Sequence, residues 1–278
     1  MVDVVEKFTK EVCVHTAILL EQGYDVSVYT GRLLAGGKAD KFGGRERFCD
    51  YDSLEQDSSV VVFVDLQNTM ALRTASKFYD HFVSASTRFK KKVIVSAEFT
   101  KAASKRTCSL IEDLSKFEEP KDKPFKYLSD SMLAGRKEHL CNFADSLFFK
   151  WSLLRQQTCD GGQSLVTLHV YENNRWVTGD HNGEFFLNFA NEGSLQVEKN
   201  NPVEASRSKM RVRNKKTNTH PYFVHDSGNN RLYLQALDMI YDKSKVLEKN
   251  WKKPIHVDEE ATTLADQCTR VLKVRLSD

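Results

Sequence analysis

Asp65 ends a run of apolar β-formers, Val60-Val61-Val62-Phe63-Val64, and Asn68 follows three residues later. His225 ends a shorter run, Tyr222-Phe223-Val224, and opens a turn rich in Gly and Asn, Ser227-Gly228-Asn229-Asn230. A short apolar run of the first kind reads as a strand buried on both faces of a mostly parallel α/β sheet. Open α/β sheets bind ligands at the carboxyl ends of their strands. An acid and an imidazole, each delivered to a strand end, are therefore parts of a metal-assisted site. Taken singly, each has a plainer reading: Asp65 caps the turn that follows it, and His225 is a hydrogen-bonded turn histidine.

The elements that must position these groups follow from periodicity. Val2 to Phe8 reads as a strand, Lys10 to Gln22 as a helix with Val14, Ala17, Ile18 and Leu20 apolar, and Tyr24 to Tyr29 as a second strand, so the chain opens with a β-α-β unit. The loop Gly31 to Gly44 carries Gly36-Gly37-Lys38 and Gly43-Gly44-Arg45. Its glycines would let backbone amides approach a phosphate, but the spacing is neither G-x-G-x-x-G nor a P-loop. Met70 to Ala85 is expected as a helix with Leu72, Ala75, Phe78, Tyr79 and Phe82 on one face, and Val93 to Glu98 as another buried strand ending in an acid. Thr100 to Pro124 is polar and reads as a solvated excursion over the sheet edge. Asn142 to Arg155 is expected as an amphipathic helix carrying Asp145, with Phe143, Leu147, Phe148, Trp151 and Leu154 in the core. Ser164 to His169, Phe185 to Phe189 and Met210 to Arg213 are short strand candidates, and Glu259 to Leu272 a final helix.

Composition sets limits. A chain of 278 residues with a formal charge of +3 needs no nucleic-acid or membrane partner. No window approaches the roughly 20 apolar residues of a membrane span. The N-terminus, Met1-Val2-Asp3-Val4-Val5-Glu6-Lys7, lacks the pattern of a secretory signal, so a complete chain is expected in the cytoplasm. Six scattered cysteines, with no C-x-x-C pair and no His at finger spacing, argue against a structural zinc site and read most simply as reduced thiols; one or two disulfides are the alternative in a secretory setting.

The order of motifs is recognisable. Strand-Asp65, Ser96-Ala97-Glu98, Tyr127-Leu128 through Gly135, Asp145-Ser146-Leu147-Phe148-Phe149, Arg211-Val212-Arg213-Asn214, and Pro221 through His225, Gly228, Arg231-Leu232 and Leu234 together resemble the glycosyltransferase domain of the procollagen lysyl hydroxylase family. The likeness runs from about Val2 to Tyr241. It implies a GT-A type fold, a Rossmann-like mixed, mostly parallel sheet flanked by helices, that binds a UDP-sugar and a divalent cation. Residues 2–241 are then the transferase domain and 242–278 a C-terminal helical extension.

By that resemblance Asp65, Asn68 and His225 are the metal ligands. Asn68 replaces a second acid, so it offers a carbonyl oxygen without charge. Hard oxygen ligands with one imidazole suit Mn2+ or Mg2+. Gln67 stands where the family has an aromatic against the uracil, Arg231 where it has a Lys near the diphosphate, and Gly228 in the His-Gly-Asn-Gly turn; Gly43 and Gly44 belong to the glycine-rich loop. Asp145, one acid of the family's Asp-Asp-Gln, is the candidate catalytic carboxylate; its plainer role is an acid near a helix N-terminus. Leu128-Ser129-Asp130-Ser131-Met132 replaces Leu-Asn-Ser-Gly-Gly, so the sugar pocket differs. The implied activity is transfer of glucose or galactose from UDP-glucose or UDP-galactose to a hydroxyl on a protein or peptide acceptor, hydroxylysine by resemblance, in the endoplasmic reticulum lumen where the family works. The alternative is a non-catalytic relative that serves as a binding or assembly module. A third reading, transfer to a hydroxymethylated nucleobase, would use Arg207, Lys209, Arg211, Arg213, Lys215 and Lys216 for nucleic-acid phosphates. His256-Val257-Asp258 has the His-x-Asp spacing of an iron site, but no later His completes one.

Overall fold

The computed structural model describes residues 2–5, 8–30, 49, 59–98, 123–125, 127–154, 163–189, 195–199, 210–226, 231–258 and 260–272. The expected opening unit is present. Strand β1 (Val2–Val5), helix α1 (Lys10–Glu21) and strand β2 (Ser27–Thr30) follow in order, with β1 and β2 parallel from Val2↔Ser27 to Val5↔Thr30. Thr9 caps α1 by accepting a hydrogen bond from Val12 N. Strand β3 (Val60–Val64) then joins the other side of β1 through Val2↔Phe63. The chain thus places β2 on one side of β1 and β3 on the other, which makes the carboxyl ends of β1 and β3 a topological switch point. Asp65 is the first residue past β3 there.

Beyond β3 come β4 (Thr69–Ala71), α2 (Ala75–Phe89), β5 (Val93–Glu98), β6 (Tyr127–Arg136), α3 (Lys137–Leu154), α4 (Gln163–Glu172), β7 (Val177–Gly179) and β8 (Phe186–Phe189). After them follow β9 (Leu195–Lys199), β10 (Met210–Asn214), β11 (Phe223–Asp226), α5 (Arg231–Ile240), α6 (Lys243–Asn250), β12 (Pro254–Val257), β13 (Glu260–Thr263) and α7 (Leu264–Leu272). The large sheet has the order β13-β12-β2-β1-β3-β6-β5-β7. Among the described residues β6 runs antiparallel to both β3 and β5, and β13 antiparallel to β12, while the other pairings in that sheet are parallel. The α/β expectation, a mixed and mostly parallel sheet flanked by helices, is met. A second sheet, β4-β11-β8, stands apart, and β9 and β10 form an antiparallel pair.

Helix α2 links the two sheets through aromatic packing. Phe78 lies 5.3 Å from Tyr222, 5.6 Å from Phe223 and 6.5 Å from Tyr24, ring centre to ring centre. Edge-on contacts of this kind add specificity to the area they bury. Helix α1 is buried from Val12 to Leu20, polar His15 and Thr16 included, with α6 and α7 packed against it. Residues 242–278, expected as a helical extension, supply these two helices and also β12 and β13, which continue the large sheet beside β2.

Four local expectations change. Met70 and Ala71 belong to a strand, because Thr69–Ala71 pairs with β11; the helix starts only after Thr74, whose backbone is still extended. Ser164 to His169 lies in helix α4: Leu165, Val166, His169 and Val170 form one buried face against β6 and Phe143, and so short an apolar run does not distinguish helix from strand by periodicity. Helix α3 starts at Lys137, eight residues before Asp145. Finally, Cys13 is bonded to Cys268 and Cys49 to Cys141, with Cα atoms 6.0 and 5.4 Å apart, so the reduced-thiol reading is wrong for these four. Cys108 and Cys159 lie outside the described residues, as do residues 100–122 of the expected excursion. No helix among the described residues is long and apolar enough to cross a membrane.

The Cys13–Cys268 bond fastens α7 to α1 across 255 residues of sequence. Cys268→Ser is expected to lower unfolding free energy by about 2–5 kcal/mol, read by urea titration. Reductant should destabilise the wild type and leave the residual Cys49–Cys141 effect in the variant.

Candidate functional site

The apolar run of β3 stops at Asp65 because the chain turns there. Asp65 N donates to Ser131 O on β6 at 3.0 Å, and Asn68 N donates back to Asp65 O at 3.2 Å. The turn buries Leu66 and exposes Gln67 and Asn68, with Asp65 partly exposed. Strand β4 then pairs antiparallel with β11, which sets Thr69 opposite His225, and Asp226 N donates to Asn68 O at 2.9 Å. The Asp65–Asn68 turn and the His225–Asp226 strand end, far apart in sequence, are thereby neighbours at the sheet's switch point. His225 Nδ1 is 3.2 Å from Thr69 Oγ1, a contact that fixes the ring. Where Nδ1 carries the proton, Nε2 presents its lone pair.

Two buried groups behind the turn register this convergence. His15 Nδ1 is 2.8 Å from Leu66 O, and Tyr233 Oη on α5 is 3.1 Å from His15 Nε2. Burial pulls the His15 pKa down to about 4, against the opposing pull of the Leu66 carbonyl and, more weakly, of the Asp65 carboxylate. Burial likewise pushes the Tyr233 phenol well up, with the negative charges of Asp226 and Asp65 adding to it. Asp226 is 4 % exposed and did not stand out in the sequence, although, like Asp65, it closes a buried apolar strand.

A polar chain runs from this turn into the sheet. A register shift between Val95 and Ala97 of β5 marks the place where Ser96 Oγ meets β6, donating to Ser129 O at 3.1 Å. Ser129 Oγ and Ser131 Oγ are 3.0 Å apart, Ser131 Oγ donates to Asn188 Oδ1 at 3.1 Å, and Asn188 Nδ2 donates to Glu98 Oε1 at 3.3 Å. Asn188 is paired in register with His225 across β8 and β11. Its amide therefore clasps the small sheet, which carries His225, to the large one, which carries Asp65. Each serine in this chain has a partner, as buried hydroxyls require. No periodicity signalled the network, because it joins three strands distant in sequence.

The other candidates are distributed as follows. Asp145 is exposed in the middle of α3, two turns past its first residue, so a first-turn interaction with the helix dipole does not account for it. Gly43, Gly44 and Gly228 lie outside the described residues, and of Arg231 only the backbone, opening α5, is described. In the basic strand Arg211 Nε is 2.8 Å and Arg213 Nη1 4.0 Å from Glu198, which His220 Nε2 also meets at 3.1 Å. Glu198 thus draws two of the six basic positions, and its own pKa falls chiefly through the His220 contact.

The donor set is small for a divalent cation. Among the described residues no three His, Cys, Asp or Glu side chains form a group that could hold a metal ion. Asp65, Asn68 and His225 offer one carboxylate, one amide oxygen and one imidazole. That fits a cation completed by substrate phosphates and water, as is usual for Mg2+, and does not fit a self-sufficient protein cage.

Comparison with solved structures returns glycosyltransferases. The chain is similar to the galactosyltransferase LgtC in complex with donor and acceptor sugar analogs, at 10% identity and TM-score 0.44 over 89% of this chain and 94% of that one. An active-site mutant of LgtC gives 10% identity and TM-score 0.46 over the same shares. The bifunctional glycosyltransferase WbbM, in its apo structure, gives 11% identity and TM-score 0.47; the match covers 89% of this chain and 51% of WbbM, so the chain spans about half of that protein. No protein-family model and no curated protein matches the chain.

Asn188→Leu should remove the clasp between Ser131 and Glu98. The expected cost is about 1–3 kcal/mol, since the buried Ser131 hydroxyl loses its acceptor on Asn188 and the half-buried Glu98 carboxylate loses a donor. Urea unfolding of the variant beside wild type measures it, and an unchanged midpoint would show that the clasp contributes nothing.

Proposed function

We propose that the chain is a metal-dependent glycosyltransferase of the kind its motifs resemble, the glycosyltransferase domain of the procollagen lysyl hydroxylases. It would move glucose or galactose from a UDP-sugar to a hydroxyl of the hydroxylysine type. The observation that carries this reading is the meeting of the Asp65–Asn68 turn with His225 at the switch point of an α/β sheet. Asp65, the Asn68 amide oxygen and His225 would hold Mn2+ or Mg2+. A cation bound there would neutralise charge on a departing nucleoside diphosphate.

The chain's own residues have defined tasks in this scheme. Asp65 holds its carboxylate at the mouth of the sheet because its amide is tied to Ser131. Thr69 orients the His225 ring. Gln67, exposed on the turn, offers its amide to the nucleobase, and Arg231 would meet the diphosphate. Asp145 enters through the family motif alone, as the carboxylate that orients the acceptor or assists the reacting sugar. Two disulfides fit maturation in an oxidising compartment, in keeping with the endoplasmic reticulum lumen.

One observation favours a second reading, a non-catalytic binding module: with Asn68 in place of an acid, the described residues hold no three-member metal cluster. The two are separated by thermal shift and turnover. The transferase reading expects UDP at about 100 times its Kd, with Mn2+, to add about 2.7 kcal/mol of stability. It also expects Mn2+-dependent hydrolysis of UDP-glucose or UDP-galactose, abolished in Asp65→Ala and in His225→Ala. No shift and no hydrolysis with the intact protein would leave the binding-module reading. In addition, Asn68→Asp restores a second carboxylate and is expected to tighten Mn2+ binding roughly tenfold, measured by calorimetry with UDP present, because ligand charge tunes cation affinity.

A further inference from the structure

We infer that His15, on a helix that contributes none of the proposed ligands, is the positioning residue that holds both flanks of the site at their working separation. The inference rests on the transferase reading and deepens it. His15 is 3 % exposed, and both of its ring nitrogens are engaged. One meets Leu66 O, between Asp65 and Gln67 in the turn after β3. The other meets the hydroxyl of Tyr233, in the first turn of α5, the helix that follows the His225 strand.

The carbonyl assigns the tautomer. Leu66 O can only accept, so Nδ1 carries the proton and donates; Nε2 is then the lone-pair nitrogen, and the Tyr233 hydroxyl donates to it. The low pKa keeps the ring neutral, and therefore able to accept at Nε2, throughout the physiological range. One rigid ring thus spans from the acid-bearing turn to the helix behind the imidazole-bearing strand.

A second bridge lies about two turns further along the same helix, at its C-cap. Gln22 Nε2, just past the end of α1, donates to Tyr241 Oη at 2.9 Å, and Tyr241 Oη donates to Ala71 O of β4 at 2.5 Å. Tyr241 lies just past the end of α5. Helix α1 and its C-cap therefore grip the Leu66–Ala71 segment at two points, at Leu66 directly through His15 and at Ala71 through Tyr241. Covered by α6 and α7 and fastened by the Cys13–Cys268 bond, α1 is a fixed support. Groups hydrogen-bonded directly to metal ligands typically change metal affinity about 10- to 100-fold when removed, and His15, whose contact at Leu66 is one residue from Asp65, is placed at the lower end of that range.

The test uses the whole chain in four forms: wild type, His15→Phe, His15→Asn and Tyr233→Phe. Phenylalanine keeps a ring but makes neither bond, asparagine keeps a donor for Leu66 O, and Tyr233→Phe removes only the second bond. Hydrogen exchange should quicken in His15→Phe at the Asn68 and Asp226 amides, which close the turn and join it to β11, while β5 and β6 exchange as in wild type. Affinity for UDP with Mn2+ should fall about tenfold in His15→Phe and recover most of that loss in His15→Asn. Tyr233→Phe should quicken exchange at Asp226 more than at Asn68. Unchanged exchange at both amides in His15→Phe would overturn the assignment, as would an equal rise throughout the sheet, which marks general destabilisation. If wild type binds no UDP with Mn2+, the transferase reading falls; the exchange measurement alone then decides whether His15 positions the turn.

Discussion

The short antiparallel pairing of Thr69–Ala71 with Phe223–Asp226 is the constraint on which the rest depends. It is only three residue pairs long, yet it joins the turn that follows β3 directly to the strand that carries His225. The Asp226 N to Asn68 O bond extends it by one more link into the turn itself. A pairing this short is not stable in isolation. Here it is held by what surrounds it: Phe78 and its aromatic neighbours, α1, and the Asn188 clasp to the large sheet.

This arrangement explains why so much of the molecule is devoted to α1. A helix lying on an open sheet ordinarily shows one apolar face and one wet face. From Val12 to Leu20 α1 has no wet face, because the C-terminal segment wraps it with two helices and adds β12 and β13 to the sheet beside β2. The outer layer fixes the helix, the helix fixes the turn and β4, and β4 fixes the distance between Asp65 and His225. Polar residues in that interior are few, and those behind the site bond to backbone carbonyls or to one another, as low local dielectric demands.

Much of the large sheet was legible in the sequence. Runs such as Val60–Val64 and Val93–Ala97 read as strands because they are rich in β-branched residues, and Asp65 and His225 were visible as polar groups ending such runs. Thr69–Ala71 was not, because three residues carry no period and the helical pattern from Leu72 onward overran them. Helix α4 reads as a strand in the sequence because its apolar run, Leu165 to Val170, is short and interrupted only by Thr167 and His169. The Ser96–Ser129–Ser131–Asn188 chain, the role of Asp226 and the His15 bridge depend on tertiary proximity, and scattered Ser, Asn and His have no local signature. The disulfides were equally hidden, since the pairing of Cys13 with Cys268 exists only because α7 folds back on α1.

In the proposed transferase one cation would be gripped jointly by the turn after β3 and the end of β11. Paramagnetic broadening of backbone amide signals on titrating Mn2+ in the presence of UDP tests it most directly. The amides of Asn68 and Asp226 should broaden together, first and at the same substoichiometric Mn2+, and Asp65→Ala should abolish the effect at both. Broadening at only one of the two, or first at a region distant from both, would contradict the account.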